Sequence, residues 1–365
     1  MKIGILTVPF NNNYGGFLQA FALKRILMNM GHQVIFINRR PNRLITLRTR
    51  IGDFLRALHL LEDKQKKISR NTDEFQKKYL FPYTRKYYSS NDLRKCLKYR
   101  FDCVIVGSDQ VWRYCWYRDW IDDFFCDFLE GTHIPHFSYA ASMGTDELEY
   151  PQEKLDICAK LLKGFNAISV REDSSVKLLQ EHFDVDKPQV VLDPTFLLDK
   201  QVYVDLFKEN YAKADKPYIF TYILDDNKEI HQSIEDFSRQ MNMSVVNIKA
   251  QTGDISTLDV IEPVEKWLSA IYYADYVITD SFHGTVFSLI FNKQFVVFGN
   301  VERGLSRMQN LLGLVELTDR LVIANDFVGE KLIKDIKWYD VNNRINAYVK
   351  NSMSYLKNAL DFNNR

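Results

Sequence analysis

A histidine set among small residues carries the sharpest chemical signal in the chain. Thr279-Asp-Ser-Phe-His-Gly284 follows the apolar run Tyr276-Val-Ile-Thr279 and precedes a helical pattern from Thr285 to Phe291, so His283 sits at a strand-to-helix junction with Gly284 beside it. Imidazole is the side chain that, unperturbed, changes charge near neutral pH, which suits a general acid or base. A lone histidine is more often structural, but the junction and the small neighbours favour a functional one. Val170-Arg-Glu-Asp-Ser-Ser175 places Arg171 directly after a second apolar run. An arginine there aims a planar guanidinium into a cleft and grips a phosphate or carboxylate, unless Glu172 or Asp173 merely pairs with it at the surface.

Gly107-Ser-Asp-Gln-Val-Trp112 follows Cys103-Val-Ile-Val106. Ser108, Asp109 and Gln110 can bind hydroxyls, and Trp112 or Trp116 can offer a face for stacking on a sugar. The bland alternative is that Asp109 caps a helix and Trp112 is core. Asn11-Asn-Asn-Tyr-Gly-Gly16 joins the first strand to the first helix, and the free N–H groups at that helix start can receive an anion or a sugar hydroxyl, which makes Asn13, Tyr14 and Gly15 candidates. The glycines also suit a plain tight turn. The loop is not a G-x-G-x-x-G fingerprint, and no dinucleotide is expected. His133 and His136 flank a proline and are further cleft candidates, without the spacing of a metal site.

These residues need a scaffold that presents strand ends, and the sequence alternates accordingly. Met1–Thr7, Val34–Ile37, Cys103–Val106, His136–Ala140, Ala167–Val170 and Gln189–Leu192 read as buried parallel strands. Asp193-Pro194 is a turn signal, and the boundary is set near residue 200. The second half repeats the alternation through Tyr218–Leu224, Ser244–Ile248, a helix at Val264–Tyr273, and Phe295–Phe298, and ends in an amphipathic helix at about Val341–Leu360. The expectation is an α/β protein of two Rossmann-like, doubly wound domains, 1–200 with a basic helical insertion at about 39–100, and 201–330, followed by a terminal helical segment at 331–365. Ligands of such sheets lie at the carboxyl ends of the strands, so chemistry belongs in the cleft between the halves.

Composition bounds the rest. The 365 residues carry 48 Lys+Arg against 47 Asp+Glu, a net charge of +1, which argues against nucleic-acid binding by bulk charge. Hydrophobic residues at 46% support packed cores. No apolar run approaches the roughly 20 residues of a membrane span, and the chain opens on a strand rather than a signal peptide. Five scattered cysteines form no C-x-x-C pair, which points to a reducing cytoplasm rather than a disulfide framework.

Taken together, Gly4-Ile-Leu, Asn13-Tyr-Gly, Leu18-Gln-Ala, Val106-Gly-Ser-Asp-Gln-Val-Trp112, Tyr139-Ala-Ala-Ser, Ser169-Val-Arg-Glu172, Leu192-Asp-Pro194 and Ser281-Phe-His-Gly284 resemble the polysaccharide pyruvyl transferase family over about residues 1–315. The resemblance implies a GT-B-like architecture whose last helix crosses back onto the first domain. It implies transfer of the enolpyruvyl carbons of phosphoenolpyruvate to a sugar as a ketal, with no cofactor and no metal. Arg171 and His283 take the positions of the family's donor-binding arginine and histidine, with Gly284 beside them, and Asp109 is a candidate to orient or deprotonate the acceptor. Many members carry Arg-Leu-His-Gly where this chain has Ser281-Phe-His-Gly; either Arg303 and Arg307 hold the donor's anionic groups, beside Ser281 and Gly284 on the donor side, or this subgroup uses another donor.

Two other readings stay open. A glycosyltransferase of the same architecture would use a nucleotide sugar, with Glu302 as its ribose-binding acid; a carbohydrate-binding relative would have no activity. The acceptor is expected to be a sugar, in one version lipid-linked and reached at the inner face of the cell membrane. There Arg39, Arg40, Arg43, Arg48, Arg50, Lys64, Lys66, Lys67 and Arg70 flank the apolar stretch Ile51–Leu61, the composition of a peripheral membrane contact. Leucines at core spacing allow plain packing instead.

Overall fold

The computed structural model describes residues 1–10, 13–42, 64–225, 227–249, 259–299, 304–322 and 328–361. Apolar runs of four or five residues form the central strands of two parallel sheets, as expected for strands covered on both faces. The first sheet is built from β1 (Lys2–Leu6), β2 (Gln33–Phe36), β3 (Cys103–Val106) and β4 (His136–Ser138) in the order β2-β1-β3-β4. The short pair β5 (Ser169–Val170) and β6 (Gln189–Val190) continues it through parallel bridges Phe137–Ala167 and Ala141–Val170. The second sheet contains β7 (Tyr218–Tyr222), β8 (Ser244–Asn247), β9 (Tyr276–Thr279), β10 (Gln294–Phe298) and β11 (Leu321–Val322), ordered β11-β10-β9-β7-β8. Each sheet therefore places its own second strand outermost, then first, third and fourth, and reverses direction between the first and third strands. That crevice is where doubly wound sheets bind ligands. The two-residue β11 is one strand the sequence pattern did not disclose.

Helix α1 (Tyr14–Asn29) starts where Asn13, in extended backbone, accepts the Gly15 N–H on its side chain at 3.0 Å. Thirteen of its 16 residues are buried, because it lies between the first sheet and the second half. Its Lys24 is buried too, and donates to the carbonyls of Tyr79 and Phe81 in the helical insertion. The other helices that matter here are α2 (Gln152–Leu162), α3 (Asp173–His182), α4 (Lys200–Phe207), α5 (Lys228–Met241), α6 (Val264–Tyr273), α7 (Phe282–Ile290), α8 (Leu305–Leu314) and α9 (Trp338–Leu360).

One apolar cluster runs through both halves, from Ile3 and Phe17 to Trp267 and Phe287. At its centre Tyr14 stacks on Trp267 with ring centroids 5.4 Å apart and meets Tyr222 edge-on, and its hydroxyl donates to Glu262 O. Helix α9 returns to the first sheet: Tyr355 donates to Ser138 O at 2.8 Å, and Ser352 Oγ accepts the Leu192 N–H. The expected crossing back of the last helix is what the chain does. Among the described residues no helix is long and apolar enough to cross a membrane.

Candidate active site

Three strand ends of the first sheet converge on one arginine. Arg171 leaves β5 with its N–H bonded to Ala141 O, and its side chain is buried. Its Nη1 donates to Asp193 Oδ2 at 2.9 Å, Nη2 lies 3.6 Å from Asp109 Oδ1, and Nε lies 3.9 Å from Glu172 Oε2. Only the first of these is a hydrogen bond; among the described residues Nε and Nη2 have no hydrogen-bond partner. Asp193 is wholly buried and organises the cluster. Its Oδ2 also accepts from Ser108 Oγ at 3.0 Å, and its Oδ1 accepts from the Thr195 N–H and hydroxyl. Behind Ser108 a relay of neutral groups fixes the loops: Gln19 Nε2 donates to Thr7 Oγ1, and Thr7 donates to Ser108 O.

The second sheet contributes His283. Its Nε2 stands 3.6 Å from the same Asp193 oxygen, an ion-pair distance when the ring is protonated. The imidazole lies flat against the first turn of α1, where a Cβ on Gly15 would fall 2.0 Å from Nδ1. Gly15 therefore acts by having no side chain. Phe282 offers its ring to two guanidiniums, Arg171 at 4.2 Å and Arg307 at 5.7 Å from the centroid. Residues far apart in sequence thus meet across the seam, and Asn310 Nδ2 donates to Arg171 O to close it.

Charge explains how the cluster holds together. Burial pushes the Asp193 carboxyl up, but His283, Arg171 and the Thr195 N–H override it and hold it well below the usual carboxylate range. Burial works to lower the Arg171 pKa, and Asp109, Asp193 and Glu172 together raise it above the ordinary arginine value. Arg307 moves the other way, down to about 10, through burial and the nearby Arg171 charge, against the pull of Glu172 and Asp109; it is still cationic at neutral pH.

Asp109 faces outward from this cluster. Its backbone is left-handed, with φ 82°, a conformation uncommon for any residue but glycine, asparagine and aspartate. A pocket of about 110 Å³ opens over it, lined also by Asn13, Gly16, Phe10, Trp116 and Tyr117. Of the residues expected to bind the acceptor, Asn13 lines it, while Ser108 and Gln110 are buried and are not among its lining residues, Gln110 accepting from Arg113. Two aromatic expectations need correcting. Trp112 is fully buried with its indole N–H on Phe124 O, and Tyr14 is buried against Trp267, because each ring lies on the core side of its turn. Trp116, 52% exposed at the rim with the Arg113 guanidinium 5.2 Å from its centroid, is the exposed ring of the pocket.

Other expectations are also revised. Ser281 caps α7, its Oγ accepting the Gly284 N–H at 3.2 Å. Gly284 is required by packing, since a Cβ there would fall 2.5 Å from Thr279 Oγ1. Ser281 thus serves as the cap, and Gly284 has only backbone to offer a donor. Arg307 reaches the site; Arg303 and Glu302 lie outside the described residues. His133 and His136 are not in the cleft. They line a separate cavity of about 350 Å³ at the amino end of β4. Arg39 is no membrane-facing residue: it is buried, ion-paired with Asp123 and set 4.4 Å over Trp120. The apolar stretch Ile51–Leu61 lies outside the described residues. Among the described residues no three His, Cys, Asp or Glu side chains converge as a metal site.

A sequence model described as polysaccharide pyruvyl transferase matches residues 13–302, a span that contains Asp109, Arg171, Asp193 and His283. The chain belongs to the polysaccharide pyruvyl transferase family. The comparison with curated proteins returns no match. Solved structures share the fold at low identity: S. aureus MnaA in complex with UDP (TM-score 0.58, 13% identity, 99% of this chain and 98% of that one), and a putative UDP-N-acetylglucosamine 2-epimerase from Listeria monocytogenes (TM-score 0.55, 9% identity, 96% and 91%). The UDP-GlcNAc 2-epimerase of Neisseria meningitidis bound to UDP-GlcNAc aligns over 97% of this chain and all of its own, with TM-score 0.50 and 11% identity. They establish a GT-B-like architecture of two parallel sheets. Within this pyruvyl transferase family member, sequence reasoning overlooks two site residues, Asp193, which reads as a turn, and Gln19. A signal for both exists, since they stand in the motifs Leu192-Asp-Pro194 and Leu18-Gln-Ala.

Proposed function

We propose that this transferase moves the enolpyruvyl carbons of phosphoenolpyruvate onto two hydroxyls of a sugar as a pyruvate ketal, with release of inorganic phosphate. The observation that carries the reading is the buried Arg171–Asp193–His283 cluster, assembled from both sheets and flanked by Arg307. Phosphoenolpyruvate is small and trianionic near neutral pH, and its carboxylate and phosphate call for fixed cations. Arg171 has two donor nitrogens without hydrogen bonds among the described residues, and Arg307 lies across the same phenylalanine ring.

Chemistry follows from the donor. A proton added to the methylene carbon gives a methyl group and an oxocarbenium-like centre at the adjacent carbon. One sugar hydroxyl attacks that centre and loses its proton; the second then closes the ring as the carbon–oxygen bond to phosphate breaks. Of the two hydroxyl protons, one in net is carried on the new methyl group and the other leaves with phosphate. His283 is the proton carrier, and Asp193, 3.6 Å from its Nε2, orients the ring. Asp109 accepts the first hydroxyl proton or orients the hydroxyl, with the sugar face on Trp116.

The test is incubation of the protein with phosphoenolpyruvate and a panel of lipid-linked and nitrophenyl sugars. Mass spectrometry should find an acceptor carrying added pyruvate, matched by phosphate release. Transfer of a hexose from a nucleotide sugar under the same conditions, with no pyruvate added to any acceptor, would replace this reading with glycosyl transfer.

A further inference from the structure

Phe282 meets both guanidiniums and the imidazole of the cluster. The centroid of its ring lies 4.2 Å from the guanidinium carbon of Arg171 and 5.7 Å from that of Arg307, and it meets the His283 ring edge-on at 5.3 Å. The two arginines come from separate elements, one directly after β5 and one in the first turn of α8, whereas Phe282 and His283 are neighbours at the start of α7. That start is fixed, because Ser281, in extended backbone, accepts the Gly284 N–H at 3.2 Å. Arg307 has a second guide in Gly304, which precedes α8 at φ 86°. A Cβ there would fall 2.7 Å from Arg307 Nε, so this guanidinium lies against bare backbone on one side.

Two guanidiniums in one buried place repel each other. Burial and the charge on Arg171 both pull the Arg307 pKa down, to about 10, against the opposing pull of Glu172 and Asp109. A planar guanidinium near an aromatic ring is attracted by the negative face of the ring and keeps its N–H edges for an anion. An aliphatic side chain of similar bulk would fill the space and exert no such attraction. Phe282 is 7% exposed, so the attraction acts with water largely excluded. Phosphoenolpyruvate carries its carboxylate and its phosphate on the same carbon, and two such groups call for two cations held side by side. We infer that Phe282 is a positioning residue: its ring gathers Arg171 and Arg307 into one anion-binding pair that receives the two anionic groups of the donor. The identity of the anion rests on the donor reading above, whereas the pairing rests on the geometry of the ring and the guanidiniums.

Replacing Phe282 in the full chain by phenylalanines that carry one, two or three ring fluorines tests the pairing, because each fluorine withdraws charge from the ring face at nearly constant volume. Titration calorimetry with phosphoenolpyruvate should show affinity falling stepwise along the series, by about tenfold at the most fluorinated ring, and Phe282→Leu should lose at least as much. The donor KM should rise by a larger factor than kcat falls, since the ring acts through groups that bind. Equal affinity at every fluorinated ring, with a loss in Phe282→Leu alone, would make Phe282 plain packing and overturn the inference. A second measurement needs no ligand. Heteronuclear NMR of the Arg171 and Arg307 Nε–H groups should show ring-current shifts that Phe282→Leu removes; signals unmoved by that substitution would overturn the pairing as well. If the shifts are present and the parent binds no phosphoenolpyruvate, the donor reading fails and the pairing stands without that donor. If the parent transfers pyruvate while fluorination changes nothing, the reaction stands and the role of Phe282 does not.

Discussion

Asp109 and Asp280 occupy matching places, each following the third strand of its sheet, and they have opposite fates. Asp280 gives both carboxylate oxygens to backbone, accepting the Leu224 and Asp225 N–H groups at 2.7 and 3.0 Å, and so ties the exit of β7 to the exit of β9. Asp109 accepts its neighbour's N–H, from Gln110 at 2.9 Å, and keeps the rest of its carboxylate toward Arg171 and the open pocket. Equal topology therefore does not mean equal chemistry. What separates an acid tied into the fold from one left open at a strand end is how many backbone N–H groups the neighbouring turns aim at it. The same contrast holds for the halves as wholes: the first supplies Asp109, Glu172, Arg171 and Asp193, and the second supplies a serine-capped helix start, one imidazole and Arg307.

The largest break in that comparison is Arg171→Gln. Three buried carboxylates lose their cation, so turnover should fall by about a thousandfold or more and stability by about 3–5 kcal/mol. Steady-state rates and chemical denaturation measure the two losses; a fully active variant would exclude Arg171 from donor binding. His283→Asn follows, with kcat lower by about 10²–10⁴ and a smaller loss of stability than Arg171→Gln, since the imidazole also helps to hold the buried Asp193 carboxylate ionised. A rate loss that merely tracks unfolding would assign His283 to structure.

Asp109→Asn isolates charge, because asparagine tolerates the left-handed backbone. Its kcat should fall by about a hundredfold at nearly constant stability. Asp280→Asn is the mirror test: one amide oxygen replaces two carboxylate oxygens, so about 1–3 kcal/mol of stability is lost and kcat stays within severalfold. Swapped outcomes at these two positions would dissolve the distinction between them. The smallest effect is in pH. Asp193 has a depressed folded pKa, so its ionisation contributes stability that is present above the unfolded carboxyl value near about 4 and is lost as pH falls through the folded value. The deficit of Asp193→Asn relative to the parent, followed by melting temperature, should be full at neutral pH and shrink in acid.

The strands were legible because parallel strands covered on both faces leave unbroken apolar runs, and Arg171, Asp109 and His283 were legible because each follows such a run. Asp193 was not, although it is buried at the centre of the cluster. Asp-Pro reads as a turn whatever the aspartate faces, and only the meeting of β5, β6 and α7 in space shows that Arg171 and His283 share it. Trp112 and Trp116 show the same limit in reverse. Both are tryptophans near a strand end, and which one turns inward is set by tertiary packing that spacing does not encode.

Among the described residues, the seam where the halves touch has two places with room for nothing but a hydrogen atom. One is Gly15 against His283; the other is Gly304, where a Cβ would fall 2.6 Å from Gly144 O. Both contacts join residues of one half to residues of the other, and both flank the cluster of Arg171, Asp193, His283 and Arg307. A recombined chain of two relatives' halves must therefore bring to each glycine a facing surface that leaves no space to spare.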